Sequence, residues 1–566
     1  MYYGENRKHL ILLGMIILSM LIGGGYFVTA SALSLIPLVI IFLFFLFKEK
    51  KLKIYLDWNF IAIAVLVLGY LLSTIWAVDS GMALMGWVKY FPVLFFLLVL
   101  YNCEDGREKT IEYLPLVGVI MTIISVVFKY IPALSKYVTV AGRLGGFFQY
   151  PNTYALFMLV CLVILSYRIK EESKADILDF VYLLVCLAGI YFSGSRTVLV
   201  LTLAYGLYFA VSNIKNNKKF MYLLILVIAL IILGAVLIAG TGKISHLTSK
   251  GLSTFWGRLL YYYDALPYIL RHPLGTGYYG YAFTQYEFQT GVYTVVNVHN
   301  ELLQFMLDIG WVPAILFYGT IIKTIFSKSV CQRNRAVLTI MLLHSLFDFD
   351  FKFISIMFVL ILFLENKNLK EYKISYLTKG ISVVLVVAAV FISVKTGASE
   401  GMNLLNKSED AVKLYSGNTM AKVNMLYKEP DLFKAEEIAV DIIKDNEHIP
   451  DAYSILADAE FAKGNIDTYM EYKEKAISLA PYNSNFYKEY IEVMNYCMLE
   501  YLNMDDEMSY TVCAGKIIDT ANNLEDLKER TSKLGWMIKD QPETELEDEY
   551  MDIISKAKTM YVSESK

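Results

Sequence analysis

Between Leu10 and Val394 the chain returns repeatedly to apolar runs, typically of roughly 17–22 residues, long enough as a helix to cross a hydrocarbon core of about 30 Å. Nothing else in the sequence constrains the fold as much. Inside a bilayer every backbone N–H and C=O must find its partner within the protein, so one such run predicts a transmembrane helix and a succession of them a helical bundle. Composition agrees: 56% of the 566 residues are hydrophobic and 19% charged, with a mean hydropathy of +0.47, beyond the usual range of water-soluble domains. After Thr396 no further run occurs.

The runs predict about 12–13 spans. They begin at Leu10–Val28, include Tyr154–Tyr167, Phe220–Ala239 and Leu302–Ile322, and end with the short pair Ala336–Phe347 and Phe351–Leu364 and a last span at Leu377–Val394. The connection after every second run is basic, as at Lys48–Lys53, Arg168–Lys170, Lys215–Lys219 and Lys367–Lys373. Cytoplasmic loops retain Lys and Arg. That pattern puts the N-terminus inside and the one long connection, Gly240–Glu301, outside; thirteen crossings then leave the C-terminal part outside as well.

Charge divides the chain at the same point as hydropathy. Gly397–Lys566 contains 34 acidic and 18 basic residues; by difference from 54 and 51 for the whole chain, the part before it contains 20 acidic and 33 basic. The expected class is all-α: a polytopic membrane domain over 1–396, then a soluble helical domain over 397–566. In that tail Asp451–Asn465 reads as an amphipathic helix closed by Gly464-Asn465, followed by Ile466–Leu479 and a stop at Pro481. Small residues at Ala457 and Ala476 match part of the tetratricopeptide repeat pattern, and Ala435–Lys444 reads as an earlier helix of the same stack; Tyr469 and Lys473 depart from the pattern. Such arrays present surfaces to protein partners. Cys497 and Cys513 could pair or remain two thiols.

Four external segments carry candidate chemistry: Arg143-Leu144-Gly145-Gly146-Phe147 with Pro151-Asn152; Ser193-Gly194-Ser195-Arg196; Gly257-Arg258 through Arg271-His272-Pro273-Leu274-Gly275-Thr276-Gly277-Tyr278; and His299-Asn300-Glu301-Leu302-Leu303-Gln304. Taken singly each has a plain structural reading. Arg143 could be an interfacial anchor, Arg271-His272-Pro273 a loop corner, and His299 a cap on the span that follows. Taken together they place four guanidinium groups and the His299 imidazole on one side of the membrane, with Asp264 and Glu287 the only carboxylates of the long connection before Glu301. Guanidinium groups suit a phosphate or diphosphate, and an imidazole can accept a hydroxyl proton near neutral pH. Tyr278 and its neighbours add ring faces of the kind that bind sugars. No nucleotide-binding loop, metal-ligand spacing or Rossmann fingerprint accompanies them, so no cofactor, metal or nucleic-acid partner is expected.

The order of these motifs, across about residues 60–365, resembles the bacterial O-antigen ligase and polymerase superfamily. The resemblance implies a metal-independent, inverting glycosyltransferase of the GT-C membrane class. It would move a glycan from undecaprenyl diphosphate to an acceptor hydroxyl on a glycan, lipid or protein, at the outer face of the plasma membrane. It makes His299 the general base, and Arg196 and Arg258 the diphosphate ligands, with Arg143 and Arg271 as further ones. Asn300, Glu301 and Tyr278 become substrate contacts. Two rivals stand beside it: a lipid-linked glycan flippase, for which Asp348 and Asp350, otherwise an external turn, are the best feature, and a scaffold acting through the tail.

Overall fold

The computed structural model of the chain describes residues 7–48, 51–171, 176–213, 244–367, 369–373 and 375–564. The expected span Phe220–Ala239 and the basic connection Lys215–Lys219 lie outside them. The chain forms two compact units. The first is Met1–His246, His272–Tyr278 and Asn297–Asn418; the second is Leu247–Arg271, Tyr279–Val296 and Thr419–Lys566.

The first unit is an all-α membrane bundle. Val28–Lys48, Ser80–Asn102, Glu104–Lys129, Pro151–Lys170 and Tyr376–Leu404 are long and apolar enough to cross a bilayer. Shorter apolar helices accompany them at Lys8–Leu21, Trp58–Ser73, Ile177–Ser193, Trp311–Phe326 and Ile354–Phe363. The flanks keep large apolar side chains exposed, with Phe326 at 81%, Ile75 at 75% and Leu385 at 64%, a surface that water penalises and lipid does not. At the centre, Ile354–Phe363 is buried at all its positions, so its sequence has no polar face and no helical periodicity. The last helix, Tyr376–Leu404, approaches Val28–Lys48 through Gly397, where an added Cβ would stand 2.7 Å from that of Ala32. Beside it Thr29 donates through N and Oγ1 to Glu400 at 2.8 and 2.9 Å. Small residues that let helices meet are the usual device where lipid removes the hydrophobic drive between them.

Two of the basic connections join directly. Lys51–Tyr55 and Leu369–Lys373 pair as antiparallel strands in the register Lys51↔Lys373. Nearby, the Arg107 Nε donates to the Leu362 carbonyl at 2.7 Å and Arg333 pairs with Glu108. These described basic residues thus meet at one end of the bundle. Ile354–Phe363 runs from there, at Leu362, back to Phe353 beside the residues described below.

The second unit is helical throughout. Pro450–Ala462 and Ile466–Leu479 form an antiparallel pair through Gly464, whose φ of +81° turns the chain and lets the Asn465 N–H reach the Glu460 carbonyl at 2.9 Å. Tyr469 and Lys473, the two positions that break the repeat pattern, are both fully buried. Tyr469 packs with Tyr490, Ile491 and Met494. Lys473 donates to Ser454 Oγ at 2.8 Å and pairs with Glu489, so its charge is compensated where it stands. Cys497 and Cys513 are buried free thiols.

Candidate functional site

Arg143 is set by a two-residue hairpin. Ala141 and Gly142 both have positive φ, at 49° and 77°, and Val140 pairs with Arg143 across them, the pattern of a type I′ turn. From there its guanidinium reaches two neighbours: Nε donates to the Ser193 carbonyl at 2.7 Å and Nη2 to Asn152 Oδ1 at 2.8 Å. Asn152 lies in the first turn of Pro151–Lys170, where Pro151 supplies the preset first helical φ. Its amide nitrogen then donates to Asp348 Oδ2 at 2.6 Å.

Asp348 is 1% exposed, and its turn is held from within. Phe349 N donates to Oδ1 at 3.0 Å and Tyr150 OH to the same oxygen at 2.8 Å. One turn further, Asp350 accepts from Thr153 Oγ1 at 2.8 Å and meets His344 Nδ1 at 2.5 Å, in a fully buried pair. The sequence made Asp348 and Asp350 an external turn. A turn is present, but its two carboxylates are interior acceptors, which is tolerable only because each is hydrogen-bonded.

A further partner of Asp348 is His299. Its Nδ1 stands 3.3 Å from Asp348 Oδ1, and its ring lies against Phe349 at 5.0 Å. With Nδ1 turned to the carboxylate, the ring presents Nε2 away from it, and the side chain keeps 23% of its surface exposed. Its backbone is in the left-handed region, with φ of +55°, a conformation that costs a non-glycine residue roughly 1–3 kcal/mol and clusters at functional sites. The cap of the following helix, Glu301–Ile309, is Asn300, which accepts from Leu303 N at 3.1 Å; His299 is not that cap. Glu301 is fully buried and accepts from Lys352 N at 2.9 Å, and the Lys352 ammonium sits 5.0 Å from the centre of the Tyr278 ring.

The run Pro273–Tyr278 explains how that helix is held. Thr276 N and Gly277 N donate to the carbonyls of Leu307 and Asp308 at 2.7 and 2.9 Å, and Trp311 N to that of Pro273 at 3.0 Å. Gly275, at φ +78°, passes so close that a Cβ would stand 2.6 Å from Gly310 N. Gly275→Ala is expected to destabilise the protein by more than about 1–2 kcal/mol, the cost of the left-handed backbone alone, read as a lower unfolding temperature in detergent. Gly319→Ala, with nothing within 4 Å, is the matched control and should leave that temperature unchanged or raise it. Equal behaviour of the two would refute the close-packing argument.

The structure therefore joins the first, second and fourth sequence segments: the Ser193-Gly194 turn, Arg143, Asn152, Asp348 and His299 form one chain of contacts. Arg143 has two of its donors committed to the protein, which makes it a brace more than an anion ligand. Arg196 is exposed at the first position of Arg196–Asn213 and pairs with nothing among the described residues. Arg258 and Arg271 lie on Ile244–Arg271, within the second unit, Arg258 half-buried and Arg271 exposed. On the same helix Asp264 accepts from Thr290 N, Thr290 Oγ1 and Tyr293 OH at 2.9, 2.7 and 3.0 Å. Burial pushes its carboxyl above the usual range while those donors oppose the shift. Sequence reasoning missed Asp348, Tyr150 and Asn152 as members of the site. Pro151-Asn152 is visible as a motif, but its partner Asp348 lies 196 residues away.

No curated protein and no solved structure matches the chain. Residues 181–318, which contain Arg196, Arg258, Arg271, Tyr278, His299, Asn300 and Glu301, match the family model described as O-antigen ligase, and over that stretch the chain is similar to the O-antigen ligases.

Proposed function

We propose that the protein transfers a glycan from undecaprenyl diphosphate to an acceptor hydroxyl at the outer face of a bacterial plasma membrane. The observation that carries the reading is the His299–Asp348 pair, inside the matched family region at its histidine and braced through Asn152 and Arg143. The acceptor oxygen attacks the anomeric carbon from the side opposite the diphosphate, and the bond from that carbon to the diphosphate oxygen breaks, inverting the centre. The hydroxyl proton passes to His299 Nε2, and Asp348 stabilises the imidazolium that forms. Guanidinium groups neutralise the negative charge on the departing diphosphate; Arg196 and Arg258 are the ligands we assign, with Arg271 a third. The energy of the reaction is already stored in the sugar diphosphate, so the transfer itself requires neither ATP nor a metal. The paired basic connections Lys51–Tyr55 and Leu369–Lys373, at the end away from His299, support an outward-facing site by the positive-inside rule. The helical pairs of the tail support a tetratricopeptide-like surface for a protein partner.

If Arg196 and Arg258 hold the diphosphate, alanine at either should lower turnover by about 10²–10³-fold, the usual size of one lost electrostatic contact, with normal abundance in the membrane. Lysine should rescue poorly, because a point charge does not reproduce a planar fork. Full activity of both lysine variants would reduce the arginines to simple charge anchors. The reading as a whole is tested by the lipid-linked glycan profile of a deletion strain. Loss of long chains marks a polymerase, and long chains stranded on the lipid mark a ligase. A profile identical to the parent's, with normal surface glycan, would sink it.

A further inference from the structure

We propose that the second unit carries a carbohydrate-binding cleft, built jointly by Tyr279–Val296 and the tail. It is a cavity of about 550 Å³, within the roughly 300–1,000 Å³ of small-molecule sites. Five tyrosines line it: Tyr279, Tyr286 and Tyr293 from the connection, Tyr427 and Tyr482 from the tail. Tyrosine suits a sugar twice over, since its flat face stacks on the C–H face of a pyranose while its hydroxyl answers the ring hydroxyls.

Three further observations favour a neutral, hydroxyl-rich ligand. Gln289 lines the cavity, is 2% exposed, and its Oε1 meets no donor among the described residues. A buried acceptor in that condition costs roughly 1–3 kcal/mol until a donor arrives, and a sugar hydroxyl is such a donor. Among the described residues no lysine or arginine lines the cavity, while Asp451 does, accepting from Tyr427 OH at 2.9 Å. A phosphate or a peptide carboxylate would meet a like charge there and neither lysine nor arginine, and His448, the imidazole of the lining, is turned to Glu287. Finally, Tyr279 is held at φ +70°. An aromatic residue is a true outlier in that region, and here the outlier is a wall of the cavity.

The cleft is also prebuilt. Tyr286 packs on Ala476, Ala480 and Phe486 of the tail. Its neighbour Glu287 pairs with His448, and the Glu287 carbonyl accepts from Arg530 Nη2 at 2.5 Å. The Gly291 and Gly535 backbones meet so closely that a Cβ on Gly291 would stand 2.8 Å from Gly535 Cα. The stretch Tyr279–Val296 is thereby bound to the tail within the one unit, and little ordering is left for the ligand to drive.

The class of ligand follows from the cleft alone; only the choice of probe rests on the transfer reading. The full chain in lipid nanodiscs is titrated with fluorescently labelled oligosaccharide, freed by mild acid from the cell's own lipid-linked pool, and Kd is read by polarisation. Tyr427→Ala, at the 65% exposed rim, and Gln289→Leu should each weaken binding about tenfold, the size of one lost ring face or hydrogen bond. Met508→Ala, at an 81% exposed position, and His299→Ala should bind as the parent does. Binding that survives in His299→Ala while turnover is unchanged from wild type would sink the transfer mechanism and leave the cleft standing. No binding by the parent chain, or equal Kd in both cleft variants and the parent, overturns the cleft. So does a photo-crosslinker at position 427 that captures an envelope protein and never the labelled glycan.

Discussion

Replacing His299 by alanine lowers turnover on lipid-linked glycan by about 10²–10⁴-fold, the usual contribution of a general base, with carrier binding nearly unchanged. The expectation rests on three particulars. The imidazole is partly exposed, its Nδ1 is engaged by Asp348, and its backbone is held at φ +55°, so Nε2 is presented in one fixed direction. Capping of the following helix is carried by Asn300, and removal of the ring therefore leaves the helix intact. His272→Ala is the control, because that residue shares the long connection but stands outside the Asn300-Glu301-Leu302-Leu303-Gln304 context. Purified enzyme, assayed for product release and for carrier binding separately, decides the matter. A variant that retains more than about half of wild-type turnover makes His299 a packing residue and removes the centre of the mechanism.

Asp348→Asn should be nearly as damaging, with turnover reduced by up to about 10⁴-fold, as when an orienting carboxylate is replaced by its amide. The substitution keeps the shape and removes the charge. It also creates a conflict, because Oδ1 and Oδ2 between them accept from His299, Tyr150, Phe349 N and Asn152, and an amide nitrogen can accept from none of them. The imidazole then loses its fixed tautomer and the stabilisation of its protonated form. Since Asp348 acts through His299, kcat should fall while KM for the carrier stays within about twofold. A purely structural role would instead lower abundance and unfolding temperature with kcat per folded molecule preserved. Asp348→Ala is the harsher variant. It removes the acceptor that Asn152 and Tyr150 share, at roughly 1–3 kcal/mol for a buried bond lost, and should lose stability as well as turnover.

Local features carried the sequence reading where it was accurate. The tail helix Ile466–Leu479 has the bounds expected from its Gly-Asn start and Pro481 stop, and the turn before it is made by Gly464 as that residue type requires. The connections Lys48–Lys53 and Lys367–Lys373, marked by their charge, contain most of two strands, Lys51–Tyr55 and Leu369–Lys373, that pair with each other. Cys497 and Cys513 were left open between a bridge and two thiols, and the structure leaves both free in the tail core. The repeat-breaking Lys473 looked like a fault in the pattern. Its explanation is Glu489, a neighbour on the next helix, which no repeat pattern contains.

Sequence by itself determined the class of this protein: a membrane bundle of helices with an acidic helical tail. Those properties belong to single segments, since the length of an apolar run, the sign of a loop and the spacing of a cap are each decided within about twenty residues. Which groups act together is a property of pairs. Asp348 meets His299 across 49 positions and Asn152 across 196, and the cleft tyrosines meet across a gap as long as that from Tyr279 to Tyr482. Such pairs are made by helix packing, which places side chains by shape and by the need to satisfy buried polar groups. Tertiary structure therefore decided that an apparently ordinary turn places its carboxylate against His299, and that part of the long connection belongs to the same compact unit as the tail.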